Sequence, residues 1–154
     1  MDFDELVKGL PDAKVFKDIA NRISDLTSRL SERASTIAER LGMHGPVFQV
    51  GGIENPKTIE ETLAYLLKPA AIFQITRVGD VWDVFYSQTV SFQTMGKREW
   101  QRVSSCRLDI KVLFIRHAQE IFLAYFRHVK EFVENIHKDL VMGDAVIKEL
   151  QELL

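Results

Sequence analysis

The longest continuous hydrophobic pattern runs from Trp100 to Met142 and changes period midway. Cys106, Leu108, Ile110, Val112 and Phe114 alternate with Arg107, Asp109 and Lys111, the period of two expected of a strand with one buried face. From Ala118 the steps become three and four: Phe122, Tyr125, Val129, Phe132 or Val133, Ile136 and Leu140, broadened by Ile121 and Phe126. This stripe predicts a helix over about residues 117–142, packed on more than one neighbour. Its other side carries Gln119, Glu120, Arg127, Lys130, Glu131, Glu134 and Lys138, a solvated face or one that meets another polar surface.

At the start of the chain, Phe3, Leu6, Val7 and Leu10 predict a short amphipathic helix closed by Gly9 and Pro11. Asp12 is a good N-cap, and no Gly or Pro follows until Gly42, which suits the left-handed residue after a helix. The helix over residues 13–41 is therefore about 43 Å long, as long as a compact domain of this size is wide, roughly 40 Å. Its seam of Phe16, Ile19, Ile23, Leu26, Leu30 and Ile37 is narrow, and Arg33 and Arg40 interrupt the heptad. Ser24, Thr27, Ser28, Ser31, Ser35 and Thr36 are mediocre helix formers, so the segment depends on contact with its own domain or a neighbour for order.

Residues 42–57 form a punctuated connector with a short Val47–Val50 run, a possible fourth strand, before Gly51 and Gly52. A compact helix follows. Asn55-Pro56 or a Thr58 to Glu61 capping box starts it, Ile59, Leu63, Leu66 and Leu67 share a face, and Pro69 lies beyond. Phe73, Ile75 and Val78 then lead through Gly79-Asp80, a tight turn, to Trp82, Val84, Tyr86, Val90 and Phe92. Met95 to Glu99 turns the chain into a third strand at Trp100. Past Gly143, Asp144 caps a short C-terminal helix with Val146, Ile147, Leu150, Leu153 and Leu154 as its stripe.

The expected fold is α+β: a three- or four-stranded antiparallel meander over about residues 70–115, packed on the helix at 117–142. The long N-terminal helix and the short C-terminal one flank it. One domain of 154 residues suffices. It divides into a helical arm (1–41), a connector (42–57) and a sheet-and-helix core (58–154).

Composition narrows the functional classes. Formal net charge is −2 and no basic tail or acidic block occurs, so strong generic attraction to nucleic acid or anionic membrane is not expected. The single cysteine, Cys106, cannot form an internal disulfide and reads as a buried thiol in a reducing compartment. The acidic N-terminus does not resemble a secretory signal, and no apolar run approaches membrane-spanning length. A soluble intracellular protein is expected, or part of a particle assembled in the cytoplasm.

No motif fixes a chemistry. Gly51-Gly52 lacks the Gly-Lys-Ser/Thr or third spaced glycine of a phosphate loop. His117, His128 and His137 lack the i, i+4 partner of a helical zinc site. Glu134 and His137 match the Glu-x-x-His piece of di-iron bundles, but no second copy exists. Cys106 has no evident source of thiol activation. No catalytic residue, cofactor or metal is therefore assigned, and an enzyme is not favoured.

Two uses compete for the remaining features. Residues 70–116 carry seven Lys or Arg against four Asp or Glu, whereas residues 1–12 and 117–154 are each net acidic by three. Such polarity can set register between copies. Together with the long helix and the apolar C-terminus, it favours a non-enzymatic structural or assembly subunit, with a virion or phage-type particle as one setting. The contacts, with copies of itself or with other subunits, would involve Phe16, Ile23, Leu30 and Ile37, or Val146, Leu150, Leu153 and Leu154. The alternative is a nucleic-acid-binding module using Lys97, Arg98, Trp100 and Arg102, a cluster that also fits a charged edge strand. A small enzyme or ligand binder with a pocket between the sheet and the helix from Ala118 is the third possibility.

Overall fold

The computed structural model describes residues 2–51, 57–67, 70–89 and 99–153. In chain order the elements are α1 (Phe3–Lys8), α2 (Ala13–Leu41), β1 (Phe48–Val50), α3 (Ile59–Leu67), β2 (Ala71–Val78), β3 (Val81–Gln88), β4 (Gln101–Arg102) and α4 (Leu108–Leu153), with a 3-10 turn at Val103–Ser105 before α4. The fold class is α+β, as the hydrophobic pattern predicts.

Local chemistry accounts for the helix ends. The Asp12 carboxylate accepts from the Val15 N–H at 3.0 Å, and α2 stops at Gly42, whose φ of 62° is left-handed. At α3 the Thr58 hydroxyl oxygen accepts from the Glu61 N–H, while the Glu61 carboxylate reaches back to the Lys57 N–H. This is a capping box whose return bond falls one residue early.

The strands form one antiparallel sheet in the order β1-β2-β3-β4. Val78 pairs with Val81 across the two-residue turn at Gly79-Asp80, with Gly79 at φ 60°. Alternation then sets Phe73 opposite Tyr86 and Ile75 opposite Val84 on one face. There they join Ala34 and Ala38 of α2 and Ile110, Phe114, Ile121 and Tyr125 of α4 in a single core cluster. Continuation of the second strand to Val90 and Phe92, the turn through 95–98, the Gly52 and Asn55-Pro56 positions, Pro69 and Leu154 lie outside the described residues.

Three local expectations are corrected. The alternating run Cys106–Phe114 is not a strand: pairing of β4 ends at Arg102 and α4 begins at Leu108. The buried positions Val103, Cys106, Ile110, Phe114, Ala118, Ile121 and Tyr125 step by three or four, so the helical period runs straight through residues that also fit a period of two. Against α2 the helix wins, because it buries this whole stripe at once.

The short C-terminal helix is not separate either. A lone Gly143 costs a helix only about 1 kcal/mol, and without a proline nearby α4 continues for 46 residues. Finally, the large-residue seam of α2 enters the core only at Leu30 and Ile37, which are partly buried against it. The fully buried residues are Thr27, Ser31, Ala34 and Ala38, small side chains that let the helix approach β3 closely.

Candidate functional site

Hydrogen bonds give the arrangement of α2 and α4. Lys111 Nζ near the start of α4 donates to Ser24 Oγ near the middle of α2 at 3.2 Å, and Tyr125 OH donates to the Met43 carbonyl just past the end of α2 at 2.9 Å. The helices therefore run parallel and are displaced along their axes. The first turns of α2 extend past the start of α4 at one end of the core. At the other end, α4 continues well beyond the end of α2.

Both overhangs are apolar. Val15, Phe16 and Ile19 are exposed on α2, and Phe3, Leu6, Val7 and Leu10 are exposed in and just after α1, which buries no residue. On α4 every residue from Lys130 to Leu153 is exposed, 24 positions that span about 36 Å. Along this arm Phe126, Val129, Val133, Ile136, Leu140, Gly143, Ile147 and Leu150 alternate steps of three and four without a slip, the spacing of a and d positions in a coiled coil. Apart from Val129, which packs in part against the core, these residues are all exposed.

Against this frame the expected contact residues divide. Phe16 is 54% exposed, Ile23 is half-buried, and Leu30 and Ile37 pack against the protein's own core. Val146, Leu150 and Leu153 are exposed at 50%, 53% and 81%, and Leu154 lies outside the described residues. The half of the stripe between Phe126 and Leu140, assigned from sequence to packing within the domain, joins the exposed arm instead.

The basic-aromatic cluster is only partly in view. Lys97 and Arg98 lie outside the described residues, while Trp100 and Arg102 sit at the β4 edge of the sheet. Arg102 Nε donates to Asp83 Oδ2 at 2.6 Å, and Asp83 Oδ1 accepts from the Val84 N–H. That guanidinium is thus already held by a buried carboxylate. Beside the pair, Ser28, Ser31, Glu32 and Ser35 of α2 line a polar cleft of about 270 Å³. The cleft lies against α2, not between the sheet and the part of α4 after Ala118.

Burial raises the Cys106 thiol to about 11, with Lys111 and Arg107 opposing the rise in part. The thiol donates to the Arg102 carbonyl. A thiol in this state is a poor nucleophile. His117 Nδ1 faces Glu120 at 3.4 Å, and among the described residues no group of three or more His, Cys, Asp or Glu side chains is placed to hold a metal ion. No helix among them is long and apolar enough to cross a membrane. No family model, curated protein or solved structure matches the chain.

Proposed function

We propose that the protein is a non-enzymatic assembly subunit that joins other subunits through its helices. The supporting observation is the α4 arm, about seven turns of helix with a regular apolar seam and every residue from Lys130 to Leu153 exposed. A helix of that length with its apolar side chains exposed lacks the packing that normally stabilises helices in proteins, whereas a seam of Val133, Ile136, Leu140, Ile147 and Leu150 gains it as soon as another helix covers the side chains. The offset of the two overhangs gives one subunit apolar surfaces at opposite ends, which suits a component of an extended assembly. A virion or phage-type particle is one setting for such a component.

Sedimentation velocity from low to high micromolar concentration tests the reading. Assembly predicts mass that grows with concentration and shrinks on Leu140→Asp, with helical and tertiary circular dichroism of the core retained. A strict monomer across that range contradicts it. Nucleic-acid binding through Lys97, Arg98, Trp100 and Arg102 is the second reading, supported by the exposed half of Arg102 at a sheet edge. It predicts salt-sensitive binding weakened by Arg98→Ala.

A further inference from the structure

We propose that the α4 arm takes one partner, a second copy of itself, and that the two arms run antiparallel with their midpoint near Lys138; this rests on the assembly reading above. The seam from Phe126 to Leu150 covers about three and a half heptads, enough to sustain a coiled coil. Orientation is decided by charge. Residues 127–138 carry Arg127, Lys130 and Lys138 against Glu131 and Glu134, a net +1, while residues 139–153 carry Lys148 against Asp139, Asp144, Glu149 and Glu152, a net −3. Parallel arms bring the acidic halves together; antiparallel arms set each acidic half on a basic one.

The flanking positions agree. In heptad terms Lys130, His137 and Asp144 are e residues and Asp139 is a g residue. Among the described residues no ion pair includes Lys130, Asp139 or Asp144. A parallel pair places Asp139 beside the partner's Asp144, a like-charge contact. The antiparallel pair places Lys130 beside the partner's Asp144 twice by symmetry, against a single like-charge contact of Asp139 with the partner's Asp139 at the midpoint, whereas the parallel pair makes its like-charge contact twice and gains no opposite-charge one there.

The seam interlocks in the same register. Phe126 lies opposite the partner's Leu150, Val129 opposite the partner's Ile147, and Ile136 opposite the partner's Leu140. Val133 lies opposite the partner's Gly143, which fills the gap that two facing glycines leave in a parallel pair. The tip of each arm then reaches the base of the other, where Leu123 and Phe126 are exposed.

Double electron–electron resonance on the full chain with Cys106→Ala and a single spin label tests this. Labels at Lys138 meet at the midpoint and give a short distance. Labels at Glu131 lie about 14 residues apart in level, roughly 21 Å along the axis, and give a much longer one. Lys130→Glu and Asp144→Lys are each expected to weaken dimerisation roughly tenfold, and the double variant to restore it. Equal distances at the two sites, or an oligomer whose labelled arms show no coupling and whose mass ignores Leu140→Asp, overturn the antiparallel arm while leaving assembly standing. A strict monomer overturns both.

Discussion

Arg102 Nε and Asp83 Oδ2 lie 2.6 Å apart, with the carboxylate side chain 2% exposed and the arginine side chain about half exposed. The arginine is thus the only side chain among the described residues that forms an ion pair with a carboxylate this deeply buried. Arg102→Met leaves Asp83 with the Val84 N–H alone, and unfolding free energy is expected to fall by about 2–3 kcal/mol. The value sits at the low end for a broken buried pair because water reaches the arginine. Asp83→Asn added to Arg102→Met removes the uncompensated charge and should recover part of the loss. Urea midpoints measure both, and an unchanged midpoint in the single variant contradicts the assignment.

Alkaline pH tests the burial of two acids. The Cys106 thiol rises from 9.0 to about 11, and the Tyr125 phenol is also raised, each by desolvation first. A raised acid keeps its proton longer in the folded state than in the unfolded chain. Its stabilising contribution is therefore complete below the unfolded value and is lost as pH rises toward the folded one. Stability should decline between pH 9.0 and about 11, and Cys106→Ala should flatten the first part of that decline in urea titrations. At pH 8 the native thiol should react with alkylating reagents far more slowly than the unfolded chain.

Gly45 sits against the core with no room for a side chain. A Cβ there meets Tyr125 Cδ2 at 2.6 Å and the Ile75 carbonyl oxygen at 2.9 Å, and the Gly45 N–H donates to that same carbonyl. Since both neighbours are fixed, Gly45→Ala is expected to cost about 2 kcal/mol or more. Tyr125→Phe, which removes only the hydrogen bond to Met43, should cost about 1 kcal/mol. Thermal denaturation distinguishes the two.

One substitution has opposite signs at two glycines. Gly42 is left-handed with open space around it, so Gly42→Ala is expected to cost about 1 kcal/mol through backbone strain alone. Gly143 has a helical neighbourhood, no positive φ and equally open space. Gly143→Ala should stabilise the arm by up to about 1 kcal/mol. Far-ultraviolet circular dichroism on heating reports the arm, and tertiary signals report the core.

Core and arm should separate under mutation. Phe114 is fully buried and packs 5.9 Å, ring to ring, from Phe73; Phe114→Ala should cost about 3–5 kcal/mol. Leu140 is 59% exposed, and Leu140→Asp should leave the unfolding free energy of the dilute protein, from urea titration, within about 0.5 kcal/mol of the original. A large loss at Leu140 in the monomer would mean that the arm folds back on its own domain.

The α+β class, the caps of α2, the Gly79-Asp80 hairpin and the short β1 strand follow from local rules, and so were legible in the residues themselves. Asp12 and Gly42 satisfy helix ends within a few bonds, and a two-residue turn sets register on its own. Such features need no knowledge of distant chain.

Tertiary structure alone decided the rest. Cys106 to Phe114 fits a period of two and a period of four alike, and only the presence of α2 beside it selects the helix. Thr27, Ser31, Ala34 and Ala38 form the buried face of α2 because small side chains permit close approach, a steric advantage that hydropathy ranks below the larger Phe16 or Ile23. The stripe beyond Phe126 looks the same whether it covers a sheet or projects into solvent. Its apolar period is a property of the residues, but what it faces depends on where α2 ends, and that is a fact of three-dimensional packing.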